Sequence, residues 1–445
     1  MSHSLFCSAS RRYALVALLI CLSAPPATAA APEMLEARGP TMGTAYMVKI
    51  FDPPEGFPDD WKVRVDRELR QVNDQMSTYL KSSEVSRFND SDSLDWFPVS
   101  AATAHVVDEA LTIHQQSRGA LEVTIAPLVD AWSFGPGKRN LKPPEAAVIA
   151  ELLASIGSEH LAVRRDPPAL RKSLAGLSID LSAIAKGHGV DRVVDLLRGL
   201  DAENTFVEIG GDLRVTGDKA GEFWKVGIQQ PDVAGDVVAV AHPLKDKAMA
   251  TSGDYRNFFE YDGTRYSHTI DPRSGFPVQH NLASVTVIAD DCMTADAWAT
   301  AINVLGSDAG LEVAEDLAIE LLLMIREPGG EPRLVGTGSL AAFSTAATSD
   351  PIVAAEVAAP DRGDDTAAAG WLRVVALSMV TFAIVLIAMA VGVINGRRSI
   401  SGSCGGLANR RSPDGEISCS LCSNPDNACR ELKQRMGERD SADAS

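Results

Sequence analysis

Asp296 and Thr300 stand four residues apart in the stretch Ala295-Asp296-Ala297-Trp298-Ala299-Thr300. On a helix that spacing puts a carboxylate and a hydroxyl on one face. Hard oxygen donors so placed suit Mg²⁺, which takes few protein ligands and completes its shell with water and substrate phosphates. Taken alone, such a pair more often serves surface or capping chemistry. His268 follows Arg265-Tyr266-Ser267 in a strand-like stretch beside a turn that begins at Asp271-Pro272. An imidazole accepts a proton near neutral pH, so His268 suits deprotonation of an attacking hydroxyl, with a hydrogen-bonded structural histidine as the plainer alternative. Gly210-Gly211 and Thr251-Ser252-Gly253 read as glycine-rich turns. Their N–H groups can approach a pyrophosphate, or they can be ordinary tight turns. No full GxGxxG or Walker A motif is present, so neither a Rossmann nor a P-loop fold is expected.

A second chemical cluster is made of thiols. Four of the seven cysteines, Cys404, Cys419, Cys422 and Cys429, follow the spacing C-x14-C-x2-C-x6-C near the end of the 445-residue chain. In a reducing compartment, clustered thiols point to metal or redox work, with iron or zinc as the suited ions. The alternative is a set of unrelated thiols in a loose tail.

The elements that must hold these groups are legible in outline. A formal charge of −18 argues against a nucleic-acid partner, and 45% hydrophobic residues argue for a packed core. Arg11 and Arg12, the apolar run from Ala14 to Leu22 and the small residues through Ala30 form a signal-peptide pattern over residues 1–30. Val374 to Gly396 carries no charge and is long enough to cross a bilayer, so residues 371–396 are expected to form a transmembrane helix. Arg397 and Arg398 put the following tail, residues 397–445, in the cytoplasm and the bulk of the chain outside it. Residues 344–370 read as a flexible linker. The expectation is a single-pass bacterial inner-membrane protein with a periplasmic catalytic domain.

Within residues 31–343, Ala45–Ile50, Trp224–Ile228 and Ser284–Ala289 read as strands, while Trp61–Gln75 and Gly189–Leu197 have helical spacing. Asp262-Gly263 reads as a hairpin turn. Strands and helices without a regular βα repeat give an α+β domain.

Several ordered motifs carry more than composition does: Gly39-Pro40-Thr41-Met42-Gly43-Thr44, Ser77-Thr78-Tyr79, Gly119-Ala120-Leu121-Glu122-Val123-Thr124, Ile179-Asp180-Leu181-Ser182-Ala183-Ile184-Ala185-Lys186-Gly187, Glu208-Ile209-Gly210-Gly211-Asp212, and the segments around Thr251, His268 and Asp296. In this order the set resembles the ApbE family of FAD:protein FMN transferases over roughly residues 38–342. The resemblance implies one large T-fold-like domain. It implies Mg²⁺ held by Asp296, Thr300 and the backbone carbonyl of Ala183, with His268 as base. It also implies FAD contacts from Met42, Tyr79, Ala120, Leu121, Glu122, Asp180, Lys186 and Ile270. Met and Tyr suit the flat rings of a flavin or adenine. Many relatives have Phe-Asp where this chain has Leu121-Glu122, and His188 stands where an aromatic is common.

The activity implied is transfer of FMN from FAD onto a Thr or Ser of a target flavoprotein, with release of AMP. An FAD pyrophosphatase and a non-catalytic membrane-anchored flavin or iron assembly factor are the alternatives. Residues 375–430 resemble the small maturation protein of the Na⁺-translocating NADH:quinone reductase. That resemblance implies iron bound by the tail cysteines and a target within that membrane redox complex or a related one.

Overall fold

The structure, a computed structural model, describes residues 33–345 apart from 138, 232–236, 256 and 329. The expected signal peptide, transmembrane helix and tail, with Cys404, Cys419, Cys422 and Cys429, lie outside the described residues. Among the described residues, no helix is long and apolar enough to cross a membrane, and no group of three or more His, Cys, Asp or Glu is placed to hold a metal.

The frame is an eight-stranded sheet: β1 (Met34–Thr41), β2 (Thr44–Phe51), β3 (Thr205–Ile209), β4 (Asp212–Thr216), β5 (Ala248–Gly253), β6 (Leu282–Ala289), β7 (Glu320–Ile325) and β8 (Arg333–Gly336). Their order across the sheet is their order in the chain, and every neighbouring pair is antiparallel. Four long helices lie on one face: α1 (Trp61–Met76), α2 (Ala101–Gln116), α3 (Ala185–Arg198) and α4 (Cys292–Leu305). Antiparallel strands with helices on one side make this an α+β domain, as the sequence pattern implies.

Alternation along the strands assigns the two faces. Ala248, Ala250, Leu321, Leu323 and Ile325 join the core under the helices, while Met249, Leu322 and Met324 join a second core on the opposite face. Trp224, Val226 and Ile228, from a hairpin of Trp224–Gln229 with Val238–Leu244, cover that second face. Sandwiched between both layers, β6 is buried along nearly its whole length, which is why Leu-Ala-Ser-Val-Thr-Val-Ile-Ala shows no polar alternation.

α1 buries Trp61, Val65, Leu69, Val72 and Met76, a run at helical spacing. α4 buries Ala295, Ala297, Ala299 and Ala301, small side chains that let it press closely on its neighbours. Asp262 and Gly263 both have positive φ, 50° and 74°, and close the hairpin Phe258–Tyr261 to Thr264–Ser267 as a two-residue turn.

Two local expectations need correction. Thr251-Ser252-Gly253 is the end of β5, paired residue for residue with Thr286, Val285 and Ser284 of β6, rather than a turn. The continuous ladder outweighs the local turn preference of Ser and Gly. His268 lies one residue beyond the strand Thr264–Ser267, where the chain bends.

Candidate active site

Gly187, in the first turn of α3, brings two helices into contact. A Cβ there would lie 2.2 Å from the carbonyl oxygen of Cys292, so only glycine permits this approach. The contact lets the Gly187 N–H donate to Asp296 Oδ2 at 3.0 Å. A carboxylate at a helix N-terminus is favoured by the exposed N–H groups there.

The start of α4 is pinned twice. Its N-cap Asp291 accepts from Thr294 N at 2.8 Å. Asp191 of α3 accepts from Cys292 N and Met293 N at 3.0 and 2.9 Å and pairs with Arg214 of β4 at 2.8 Å. Burial, outweighing the two N–H groups and Arg214, pushes the Asp191 carboxyl up to about 6. One turn beyond Asp296, Thr300 Oγ1 lies 3.2 Å from Ser252 Oγ at the end of β5. The helical spacing of Asp296 and Thr300 therefore holds, and Ser252 adds a hydroxyl beside them.

Lys186 joins this group. Its ammonium is hydrogen-bonded to Asp212 Oδ2 at the start of β4 and lies 3.2 and 3.3 Å from the two oxygens of Asp296. Both carboxylates are nearly sealed from water, at 2% exposure each. Burial opposes the lysine's charge, but Asp212 and Asp296 outweigh it and hold the ammonium firmly protonated. For Asp212, burial and then the Asp296 charge raise the carboxyl's pKa, against the pull of Lys186.

His268 has its ring in reach of solvent, and Nδ1 sits 3.1 Å from the carbonyl oxygen of Asn257. A carbonyl only accepts, so Nδ1 carries the proton and Nε2 is left as the basic nitrogen. Desolvation by surrounding atoms lowers the imidazole pKa, with the Lys186 charge adding to the effect, while Asn257 and Asp254 oppose it.

The expected flavin contacts divide into two groups. Met42 takes a positive φ of 47° in the β1–β2 turn, and its sulfur abuts Gly189 of α3, 3.3 Å from where a Cβ would be. Tyr79 is 67% exposed, and its hydroxyl donates to Phe134 O at 3.2 Å. Partial desolvation at that hydroxyl, then the Asp180 charge, raises the Tyr79 pKa. Asp180 is buried and accepts from Ser182 N at 2.8 Å, just ahead of Ala183 and Lys186.

The second group is interior. Ala120, Leu121 and Ile270 are buried. Glu122 Oε1 accepts from Thr124 N at 2.8 Å and from Ser158 Oγ at 2.7 Å, and Oε2 accepts from Ser158 N at 3.1 Å. Its carboxylate is an internal cap for Thr124 and Ser158. The expected peptide-level approach at Gly210-Gly211 is also taken up internally: Gly210 N donates to Ala45 O and Gly211 N to Glu208 Oε1. That turn is the plain hairpin alternative.

Two carboxylates share one ammonium, leaving an excess negative charge in a nearly dry site beside the hydroxyls of Thr300 and Ser252. This donor set fits a small hard dication, which would supply charge neutralisation to phosphates bound beside it. Asp212 and Ser252 are the members that residue types and spacing did not single out. Their only signal was position within the Gly-Gly-Asp and Thr-Ser-Gly stretches. A separate hollow of about 430 Å³ lies at the other end of α4, beside Val304 and Leu305, and includes none of these residues.

The model of the ApbE family matches residues 42–323. A FAD:protein FMN transferase of Vibrio cholerae is 44% identical over 301 residues, covering 67% of this chain and 89% of that protein. One of Salmonella typhimurium is 36% identical over 328 residues, covering 73% and 94%. The solved flavin transferase ApbE from Vibrio cholerae superposes with a TM-score of 0.64 at 40% identity, covering 69% of this chain and 98% of that one. The apo flavinyl transferase ApbE of Pseudomonas stutzeri gives the same TM-score at 35% identity, covering 71% and 98%.

Proposed function

The chain belongs to the ApbE family and is a flavinyltransferase, and on that premise we propose that it moves FMN from FAD to a Thr or Ser hydroxyl of a partner flavoprotein in a magnesium-dependent step. The observation that carries the reading is Asp296. It sits on one helix face with Thr300, fixed by the Gly187 N–H and facing Lys186, within a matched family.

The target hydroxyl oxygen attacks the FMN-side phosphorus of FAD. The bond from that phosphorus to the bridging oxygen breaks, and AMP leaves with that oxygen. Nε2 of His268 takes the hydroxyl proton, for which its lowered pKa keeps it unprotonated at neutral pH. Asp296, Thr300 and the Ala183 carbonyl would hold Mg²⁺, which supplies charge neutralisation on the phosphates and leaving group. Lys186 adds a second positive charge toward the pyrophosphate, and Met42 and Tyr79 offer surfaces for the flat rings. Catalysis of this kind rests on positioning and needs no enzyme nucleophile.

The flanking segments support a location for this chemistry. The pattern of residues 1–30 favours export, and the uncharged run within 371–396 followed by Arg397 and Arg398 favours an inner-membrane anchor with a cytoplasmic tail. The target fitting that location is a flavoprotein subunit of a membrane redox complex such as the Na⁺-translocating NADH:quinone reductase. The tail cysteines would handle its iron. Incubating the purified chain with FAD, Mg²⁺ and such a subunit, then weighing the subunit, tests the reading. A covalent FMN increment supports transfer. Free FMN and AMP with an unmodified target would mean pyrophosphatase chemistry, and unchanged FAD a carrier role.

A further inference from the structure

The Lys186 ammonium stands where a cation bound to Asp296 would have to stand. It lies nearly equidistant from Oδ1 and Oδ2 of Asp296, at 3.2 and 3.3 Å, and bonds Asp212 on its other side. Oδ2 also accepts the Gly187 N–H. Asp296 itself is buried at 2% exposure, so it offers a newcomer little other approach. A hard dication needs carboxylate oxygen at about 2.0–2.1 Å and would repel an ammonium bridging the same two oxygens.

We propose that Lys186 is a built-in placeholder cation, which a divalent metal must displace from Asp296 and which the displaced state offers to the anionic pyrophosphate. This rests on the reading of Asp296 and Thr300 as a magnesium site and adds to it a competition between side chain and metal. The lysine has both the means to leave and a place to stay. Its four-carbon stem is flexible, its side chain retains 31% exposure, and Asp212 remains as a second anchor when Asp296 is taken. The single ammonium offsets one of the two buried acid charges and stands against both Asp296 oxygens, so a metal meets it as a competitor for that carboxylate. A pyrophosphate competes for the ammonium and thereby frees Asp296, so metal and FAD should each strengthen the other's binding by the same factor. Asp212 is then a positioning residue: it keeps the displaced ammonium at the site.

The experiment titrates the detergent-solubilised full chain, stripped with EDTA and free of FAD, with MgCl₂ in a calorimeter, comparing wild type with Lys186→Met. If the ammonium occupies Asp296 about nine-tenths of the time, removing it tightens Mg²⁺ binding about tenfold. A parallel measurement uses the wild-type chain alone. The rate of reductive methylation at Lys186, read by peptide mass spectrometry, should rise when Mg²⁺ is added. Equal Mg²⁺ affinity in the two proteins, or a methylation rate indifferent to Mg²⁺, overturns the placeholder role while leaving the magnesium site intact. Absence of Mg²⁺ binding in both proteins overturns the site and the placeholder together. Should Lys186→Met fail to fold, the wild-type methylation rate decides the matter.

Discussion

Asp296 Oδ2 accepts a 3.0 Å hydrogen bond from the backbone N–H of Gly187, tying the first turn of α3 to the helix that carries the proposed metal ligands. The bond exists because Gly187 has no side chain to hold Cys292 away. Gly187→Ala should therefore push the two helices apart. Overpacking of this kind costs about 1–3 kcal/mol, read as a lower Tm, and should weaken Mg²⁺ binding in calorimetry. A variant with wild-type Tm and Mg²⁺ affinity would remove the helix contact from the account of the site.

His268 gives a pH prediction with a definite sign. Its folded pKa is lowered, chiefly by desolvation, so the imidazole stays neutral to more acidic pH than a free histidine, whose pKa is about 6.5. The acid limb of the transfer rate should fall below that value. His268→Asn should keep FAD binding and lose roughly 10²–10⁴-fold in rate. An acid limb at or above the free-histidine value, or an unchanged rate in the variant, would make His268 structural.

Glu122 should behave as a scaffold residue. Its carboxylate binds Thr124 and Ser158 internally, so Glu122→Ala strands those donors at a cost of about 1–3 kcal/mol each when buried. The expected readout is a lowered Tm, with FAD affinity unchanged in the protein that remains folded. A normal Tm with weakened FAD binding would reassign the side chain to the flavin.

The hydrophobic periods along the chain were enough to find α1, β2, β6 and the Asp262-Gly263 hairpin, because each is decided by neighbours in sequence. The same holds for Asp296 and Thr300, one turn apart on α4. Asp212 was not legible as a partner of Lys186, since the two meet only when β4 packs under α3. The hydrogen bonds from Ser158 to Glu122 were not legible either, since the two residues lie 36 positions apart and meet only in the fold. Thr251-Ser252-Gly253 looked like a turn because strand pairing with β6 is a long-range property.

The proposed topology rests on the charge flanks of residues 371–396. A periplasm-active reporter fused after Thr348 should be active, and the same reporter after Ser445 inactive. The opposite pattern would move the catalytic domain to the cytoplasm.

Mass spectrometry of a target subunit incubated with the chain, FAD and Mg²⁺ reads the reaction itself, and Asp296→Ala ties it to the site. Wild type should add FMN to one hydroxyl with AMP released in equal amount. The variant should add none on the same timescale, because losing the bound counter-charge raises the barrier by about 3–4 kcal/mol or more. Transfer by Asp296→Ala at the wild-type rate in EDTA would contradict the magnesium-dependent mechanism, and an unmodified target with wild-type enzyme would contradict the transfer.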